Sequence, residues 1–348
     1  MKYLITGGAG FIGSNFIRYL LNIYHDIKIL NFDNLTYAGN LNNLTDIEND
    51  SRYCFIKSDI CDIKTGKKVF DQFQPDFVIN FAAETHVDRS IQNPDIFVKS
   101  NVLGVQNLLQ FSLQCGVKKF LQISTDEVYG SLGKTGMFTE NTPLDPRSPY
   151  SASKASADLL TQAYFHTFDL PVNITRCSNN YGPYQFPEKL IPLTVLNVLK
   201  GKKIPVYGDG LNVRDWIYVE DHCSAINLVL QKGESGGVYN VGANNERSNI
   251  EIIKLIIHIL AELRPELNIS DALISFVDDR KGHDRRYAID ATKIQKTLNW
   301  KPTVPFENSL KTTISWYLDH SDWLDSIITK EYLAYYRKLY GSNWDVSL

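Results

Sequence analysis

The sequence predicts an α/β fold: a doubly wound parallel Rossmann-type sheet with a second, smaller α/β domain beside it. Three observations carry this expectation. In the first half, short apolar runs at 3–6, 27–32, 53–57, 77–81, 120–124 and 172–176 alternate with longer stretches of helical spacing. The first run enters a glycine-rich turn that opens directly into a helical stretch. After about Tyr181 the alternation stops, and Pro183, Pro187, Pro192 and Pro205 punctuate the next stretch of chain.

Each element has a local reason. The apolar runs are short and barely alternate, the pattern of strands buried on both faces. Phe11, Ile12, Phe16, Ile17, Leu20 and Leu21 share one helical face, as do Val102, Val105, Leu108, Leu109 and Leu113. Ala155, Leu159, Leu160, Ala163 and Tyr164 form a third such face. Strand–helix–strand units of this kind close as right-handed crossovers onto a parallel sheet. One more buried strand is expected at 238–241, with helices at 249–263 and 292–298. The aromatic stretch 321–348, with Trp323, Tyr332, Tyr335, Tyr336 and Trp344, reads as a terminal helix docked on the second domain or as an interaction surface. The expected division is 1–182, rejoined by about 215–245, and mainly 183–348 for the smaller domain.

The composition narrows the function classes. The chain has 348 residues, 43% of them apolar, enough to bury a core without cross-links. Thirty-six Lys and Arg against thirty-nine Asp and Glu leave a net charge of −3, so no overall basic field attracts nucleic acid or an anionic membrane. The cysteines Cys54, Cys61, Cys115, Cys177 and Cys223 are odd in number and lack C-x-x-C spacing, which argues against a disulfide framework or a zinc site. The opening apolar stretch is too short for a secretory signal, and Glu251, Lys254, His258 and Glu262 interrupt the most apolar segment. A cytoplasmic protein without a metal is expected.

Gly7-Gly8-Ala9-Gly10-Phe11-Ile12-Gly13 lies between the first strand and the first helix. Its glycines permit a tight turn, close approach of a pyrophosphate, and packing of the helix on the strand. The helix N-terminus then faces the anion. Asp33 ends the next strand twenty residues after Gly13, where a carboxylate hydrogen-bonds the ribose hydroxyls of adenosine. No Arg occurs in Asn34-Leu35-Thr36, so a 2′-phosphate would find no partner and NAD is favoured over NADP. Asp59, placed at the end of the third strand, reads either as an adenine contact or as a helix N-cap.

Tyr150 and Lys154 stand four apart after Pro149, on one face of a helix. An ammonium beside a phenol lowers its pKa, so the pair is a candidate base. It comes after a strand that ends in Ser124-Thr125-Asp126-Glu127. Two adjacent carboxylates serve as acid and base when their environments separate their pKa values. The alternative is a carboxylate pair at a helix N-terminus.

Together these residues resemble the extended short-chain dehydrogenase/reductases that act on nucleotide sugars, and within them the 4,6-dehydratases. The resemblance covers nearly the whole chain. It rests further on Ala82-Ala83-Glu84-Thr85-His86-Val87-Asp88-Arg89-Ser90, on Ser178-Asn179-Asn180-Tyr181-Gly182-Pro183-Tyr184, on Gly208-Asp209-Gly210 with Arg214-Asp215-Trp216, and on Asp279-Arg280-Lys281-Gly282-His283-Asp284. It implies Thr125, Asp126, Glu127, Tyr150 and Lys154 as catalytic residues, with Asp126 the acid and Glu127 the base of an elimination across C5–C6.

For NAD it implies Gly7, Gly10, Phe11, Ile12, Gly13, Asp33, Asn34, Leu35, Thr36, Asp59 and Ile60. Phe81, Ala82, Ala83, Ser100 and Asn180 join them, together with Tyr150 and Lys154. For the nucleotide sugar, with dTDP-glucose implied, it suggests Thr85, Thr125, Asn179, Lys189, Leu190, Pro205, Tyr207, Arg214, Asn249, Arg280 and His283. His283 and His86 read equally as structural histidines. The resemblance also implies a homodimer, paired through helices near 94–115 and 151–168, and a product that feeds deoxysugars such as rhamnose. Lys281 departs from the proline that such enzymes commonly carry. Epimerases and decarboxylases of nucleotide sugars, and non-enzymatic dinucleotide sensors, are the competing readings. Epimerases lack the acidic pair, and a sensor has no use for the Tyr150–Lys154 set.

Overall fold

A computed structural model describes residues 1–279 and 282–340. In chain order its strands are β1 (Lys2–Thr6), β2 (Lys28–Asp33), β3 (Tyr53–Lys57), β4 (Phe77–Asn80), β5 (Lys119–Thr125) and β6 (Val172–Cys177). They continue with β7 (Asn179–Tyr181), β8 (Ile204–Tyr207), β9 (Val213–Tyr218), β10 (Val238–Val241), β11 (Glu246–Ser248) and β12 (Ile274–Val277). Seven form a parallel sheet in the order β10-β6-β5-β4-β1-β2-β3. The order reverses between β1 and β4, so a crevice opens past their carboxyl ends, the place where such sheets bind ligands. Two smaller sheets, β11-β9-β7 and β12-β8, stand beside it.

The strands track the apolar runs because buried parallel strands need little else. Their ends differ by a residue or so: β5 runs on through Thr125 and β4 stops at Asn80. β3 ends at Lys57, so Asp59 lies in the turn after it, and the N-cap of the helix Ile63–Phe73 is Asp62. Asp59 instead accepts the Cys61 N–H at 2.8 Å and the Asn34 side-chain amide at 3.3 Å.

Two expected helices differ from their apolar pattern. The segment 94–115 is not continuous: Pro94–Val98 leads into a π-helical turn, Lys99–Gly104, and then Val105–Cys115. In the helix Pro149–Phe168, Leu159 is 62% exposed and Ala163 also faces outward, while Ala155 and Tyr164 are buried. The buried face includes Ser153, Lys154, Ala157, Asp158 and Thr161, so polar residues occupy much of the interior side and the apolar spacing misassigned it. Helices Leu190–Leu199 and Phe306–Asp319 had no clear signal among the prolines and polar residues around them. The terminal stretch forms two helices, Ser321–Ile327 and Lys330–Tyr340, and 341–348, with Trp344, lie outside the described residues. Among the described residues no helix is long and apolar enough to cross a membrane.

A buried polar network ties the helix Pro149–Phe168 to the sheet. Arg176 on β6 donates to Asp158 at 2.8 Å and to the Tyr129 hydroxyl at 3.0 Å. Tyr129 in turn donates to Asn240 on β10 at 2.7 Å. Removing one member of a buried ion pair leaves the other charge uncompensated, at a cost of about 3–5 kcal/mol. Arg176→Met should therefore lower the urea midpoint sharply, and adding Asp158→Leu to it should recover part of the loss. Equal midpoints for Arg176→Met and the unaltered chain would show that the pair does not hold the fold.

Candidate active site

Gly7 has φ +68, and a Cβ there would lie 2.6 Å from the Ala82 backbone nitrogen. A Cβ at Gly13 would collide with the Gly7 carbonyl oxygen and press on Gly8. Backbone approach is thus the reason for both glycines, and the turn delivers the N-terminus of the helix Phe11–Ile23 to the crevice. The Asp33 carboxylate accepts the Ala9 N–H at 2.9 Å and the Leu35 N–H at 2.7 Å, which fixes it against the turn. Burial raises its pKa and those two N–H bonds oppose the rise.

This crevice is a cavity of about 350 Å³. Gly7, Gly10, Phe11, Ile12, Gly13 and Asp33 line one end. Asn34, Thr36, Asp59 and Ile60 continue the wall, and Phe81, Ala82, Ala83, Ser100 and Asn180 line the rest toward Tyr150 and Lys154. Ser100 comes from the π-helical turn. Leu35 is the exception. Its φ of +54 turns the chain so that its N–H meets Asp33 while its side chain packs on the core, and it does not line the cavity. A cradle of glycines too tight for a Cβ, a helix N-terminus and a carboxylate beyond them fit a dinucleotide.

At the other end, β5 delivers Thr125 and a 3₁₀ turn, Asp126–Tyr129. The Thr125 hydroxyl caps this turn: it accepts the Glu127 N–H and donates to Asp126 Oδ1, each at 3.3 Å. Asp126 is 1% exposed, and its Oδ2 is buried without a hydrogen bond. Burial pushes its carboxyl well above the usual range, Glu127 adds to this, and Arg214 opposes it. A carboxyl group whose ionised form is disfavoured by burial is suited to act as a general acid.

Ser148 caps the next helix through a reciprocal bond with Ser151, and Pro149 starts it. Tyr150 and Lys154 then lie one turn apart, Lys154 buried and Tyr150 half-buried, both on the cavity wall. The expected lowering of the phenol by the ammonium is not found in the protein alone. Burial pushes Tyr150 far up, Glu127 adds to it, and a bond from Thr85 only partly opposes. The Lys154 ammonium is committed to the Ile123 carbonyl at 2.6 Å. Burial lowers its pKa, and Asp158 opposes that by favouring the charged form.

A second cavity of about 150 Å³ meets the first at Glu127 and Tyr150, which line both together with Asn179, Lys189 and Leu190. Pro205, Tyr207, Arg214, Asn249 and His283 line its far part. Thr85 stays on the first cavity's wall, where its hydroxyl accepts from Lys189 Nζ at 3.5 Å. Arg214 lies over the Tyr287 ring at 4.2 Å and donates to the Asp284 carbonyl at 2.9 Å. His283 is held by Asp279 at 2.5 Å. Arg280 and Lys281 lie outside the described residues.

The structure adds Glu188, Trp216 and Tyr287 to these walls. Nothing in their spacing marks them: Glu188 beside Lys189 reads as surface charge until its side chain is found 4% exposed. His86, with φ +108 at the start of the helix Val87–Gln92, lines the second cavity and reaches the Tyr335 hydroxyl at 3.3 Å. Among the described residues no three His, Cys, Asp or Glu gather as a metal site.

A sequence model of the family described as GDP-mannose 4,6 dehydratase matches residues 4–313. The dTDP-glucose 4,6-dehydratase of Xanthomonas campestris is 49% identical over 341 residues, covering 95% of this chain and 97% of that protein. The Escherichia coli K12 protein named dTDP-glucose 4,6-dehydratase 1 is 46% identical, covering 98% and 99%. The crystal structure of the Bacillus anthracis dTDP-glucose 4,6-dehydratase in complex with NAD superposes with a TM-score of 0.86 at 51% identity, covering 94% of this chain and 99% of that one. A UDP-glucose 4-epimerase from Thermotoga maritima has the same fold, with a TM-score of 0.82, but only 30% identity over 92% of this chain and 99% of that one. Nearly half the residues are shared along almost the full length of both chains, well beyond what the common fold demands, and so the chain belongs to the dTDP-glucose 4,6-dehydratase family of the extended short-chain dehydrogenase/reductases.

Proposed function

We propose that this chain converts dTDP-glucose to dTDP-4-keto-6-deoxyglucose and water as an NAD-dependent lyase of the cytoplasm, serving deoxysugar synthesis. The observation that carries the reading is Asp126, buried with one carboxyl oxygen unbonded, beside Glu127 at the junction of a dinucleotide cavity with a second cavity. Residues 1–182, rejoined by about 215–245, hold the dinucleotide, and mainly 183–348 hold the sugar nucleotide.

The turn from Gly7 to Gly13, with Asp33, Asn34, Thr36, Asp59, Ile60 and the wall from Phe81 to Ala83, would hold NAD, and Lys154 its nicotinamide ribose. When bound, NAD supplies the two-electron oxidation at C4 and returns the same electrons at C6, so it is regenerated. Tyr150 takes the proton of the 4-hydroxyl, whose oxygen hydrogen-bonds Thr125. The resulting ketone acidifies the C5 proton, which Glu127 removes. Asp126 gives its proton to the C6 hydroxyl, which leaves as water. After reduction at C6, a proton returns to C5. Arg214, with Arg280, would take the diphosphate through forked N–H bonds. Thr85, Asn179, Lys189, Leu190, Pro205, Tyr207, Asn249 and His283 complete the substrate wall.

The chain pairs as a homodimer through the helices Pro94–Val98, Lys99–Gly104, Val105–Cys115 and Pro149–Phe168. Val98, Leu103, Leu159 and Phe168 on them are each at least half exposed, which supports a covered apolar face.

Glu127→Gln should abolish incorporation of solvent deuterium at C5, and Asp126→Asn should lower kcat by about 10²–10⁴-fold. Undiminished elimination in Glu127→Gln removes that residue as the base. In calorimetric titrations, dTDP should bind at least tenfold more tightly than UDP, CDP or GDP, and equal affinities would defeat the choice of base. Equilibrium sedimentation should give twice the chain mass, and Leu103→Glu with Leu159→Glu should halve it; a single-chain mass for the unaltered protein rejects the dimer.

A further inference from the structure

A cycle that regenerates its own dinucleotide gains from keeping it bound while sugar nucleotides come and go. Resting on the functional reading above, we propose that Arg89 is a positioning residue: it locks the cofactor-side loop to the substrate-side Glu188–Lys189 turn, so that filling the nucleotide-sugar pocket slows release of NAD.

Arg89 sits on the short helix Val87–Gln92 and lines neither cavity. Its guanidinium lies between two aromatic faces, 3.7 Å from the Tyr37 ring centre and 4.0 Å from that of Tyr335. Its Nε donates to Glu188 Oε2 at 3.2 Å. The Tyr37 hydroxyl reaches both Glu188 Oε1, at 2.9 Å, and the Thr85 carbonyl oxygen, at 2.6 Å. One cation therefore joins four separate pieces of chain.

Two of those pieces carry cavity walls of different kinds. Tyr37 is flanked by Thr36 and Ala38, which line the dinucleotide cavity and not the second one. Glu188 and Lys189 line both cavities, and Lys189 reaches the Thr85 hydroxyl at 3.5 Å. Tyr335 brings in the helix Lys330–Tyr340, which meets His86 on the second cavity's wall. A ligand that immobilises Lys189 immobilises Glu188, and through Arg89 it immobilises Tyr37 and the loop over the dinucleotide. Only a planar cation stacks on two rings while donating in its own plane, so lysine is not equivalent here.

The test measures the rate at which NAD leaves the full-length, NAD-loaded protein, with and without saturating dTDP. In the unaltered chain dTDP should slow release by a factor within the roughly 5–150-fold range usual for coupled sites. In Arg89→Met and Arg89→Lys release should speed up, and the dTDP factor should fall to about one. Tyr335→Phe, which keeps the ring, should behave like the unaltered chain. Under saturating NAD and dTDP-glucose, kcat of Arg89→Lys should stay within about threefold, since the reacting groups are untouched.

Retention of the full dTDP factor in both Arg89 variants overturns the proposal, as does its absence in an unaltered chain that turns over dTDP-glucose. If Arg89→Met does not fold, Arg89→Lys and Tyr335→Leu decide the question by the same ratio. An unaltered chain that shows the Arg89-dependent dTDP factor but turns over no dTDP-glucose overturns the functional reading alone.

Discussion

A carboxyl group sealed from water with one oxygen left unbonded is expensive to ionise, and Asp126 is such a group. Its neighbour Glu127 lies where both cavities meet. Adjacent residues of one chain thereby differ in burial, a condition under which two carboxyl groups can divide acid and base roles. The difference in burial depends on β5 burying its whole length and on the Thr125 hydroxyl capping the turn beyond it.

The same low-dielectric setting governs Tyr150 and Lys154. Burial disfavours both of their charged forms, the phenolate and the ammonium. Asp158, one turn beyond Lys154, favours the ammonium, and Arg176 holds Asp158 in place. The polar inner face of the helix Pro149–Phe168 thus runs on to the cavity wall: residues that look misplaced in a packed interior surround Lys154. Its outer face is left to carry Leu159 and Phe168.

Much of the fold was legible because parallel strands and glycine turns are local signals. The runs that became β3 and β10 match their predicted limits, and so do the helices Asn249–Leu263 and Thr292–Leu298. Gly7 and Gly13 could be read for the same reason: each is demanded by a backbone contact within or beside its own turn. Leu35 differs from its neighbours Asn34 and Thr36, which line the cavity: its positive φ goes with a side chain packed on the core, which the spacing did not show. Glu188 and Tyr287 were not legible, since their partners Tyr37, Arg89 and Arg214 are far away in sequence.

The sequence by itself determined the strand–helix alternation, the dinucleotide turn, the spacing of Tyr150 and Lys154 and the adjacency of Asp126 and Glu127, because each is set by residues within a few positions of one another. Only the tertiary structure decided which carboxyl is buried, where the Lys154 ammonium points, and that two cavities share one wall at Glu127 and Tyr150. Those properties depend on dielectric surroundings and on contacts between distant segments, and neither is carried by local spacing.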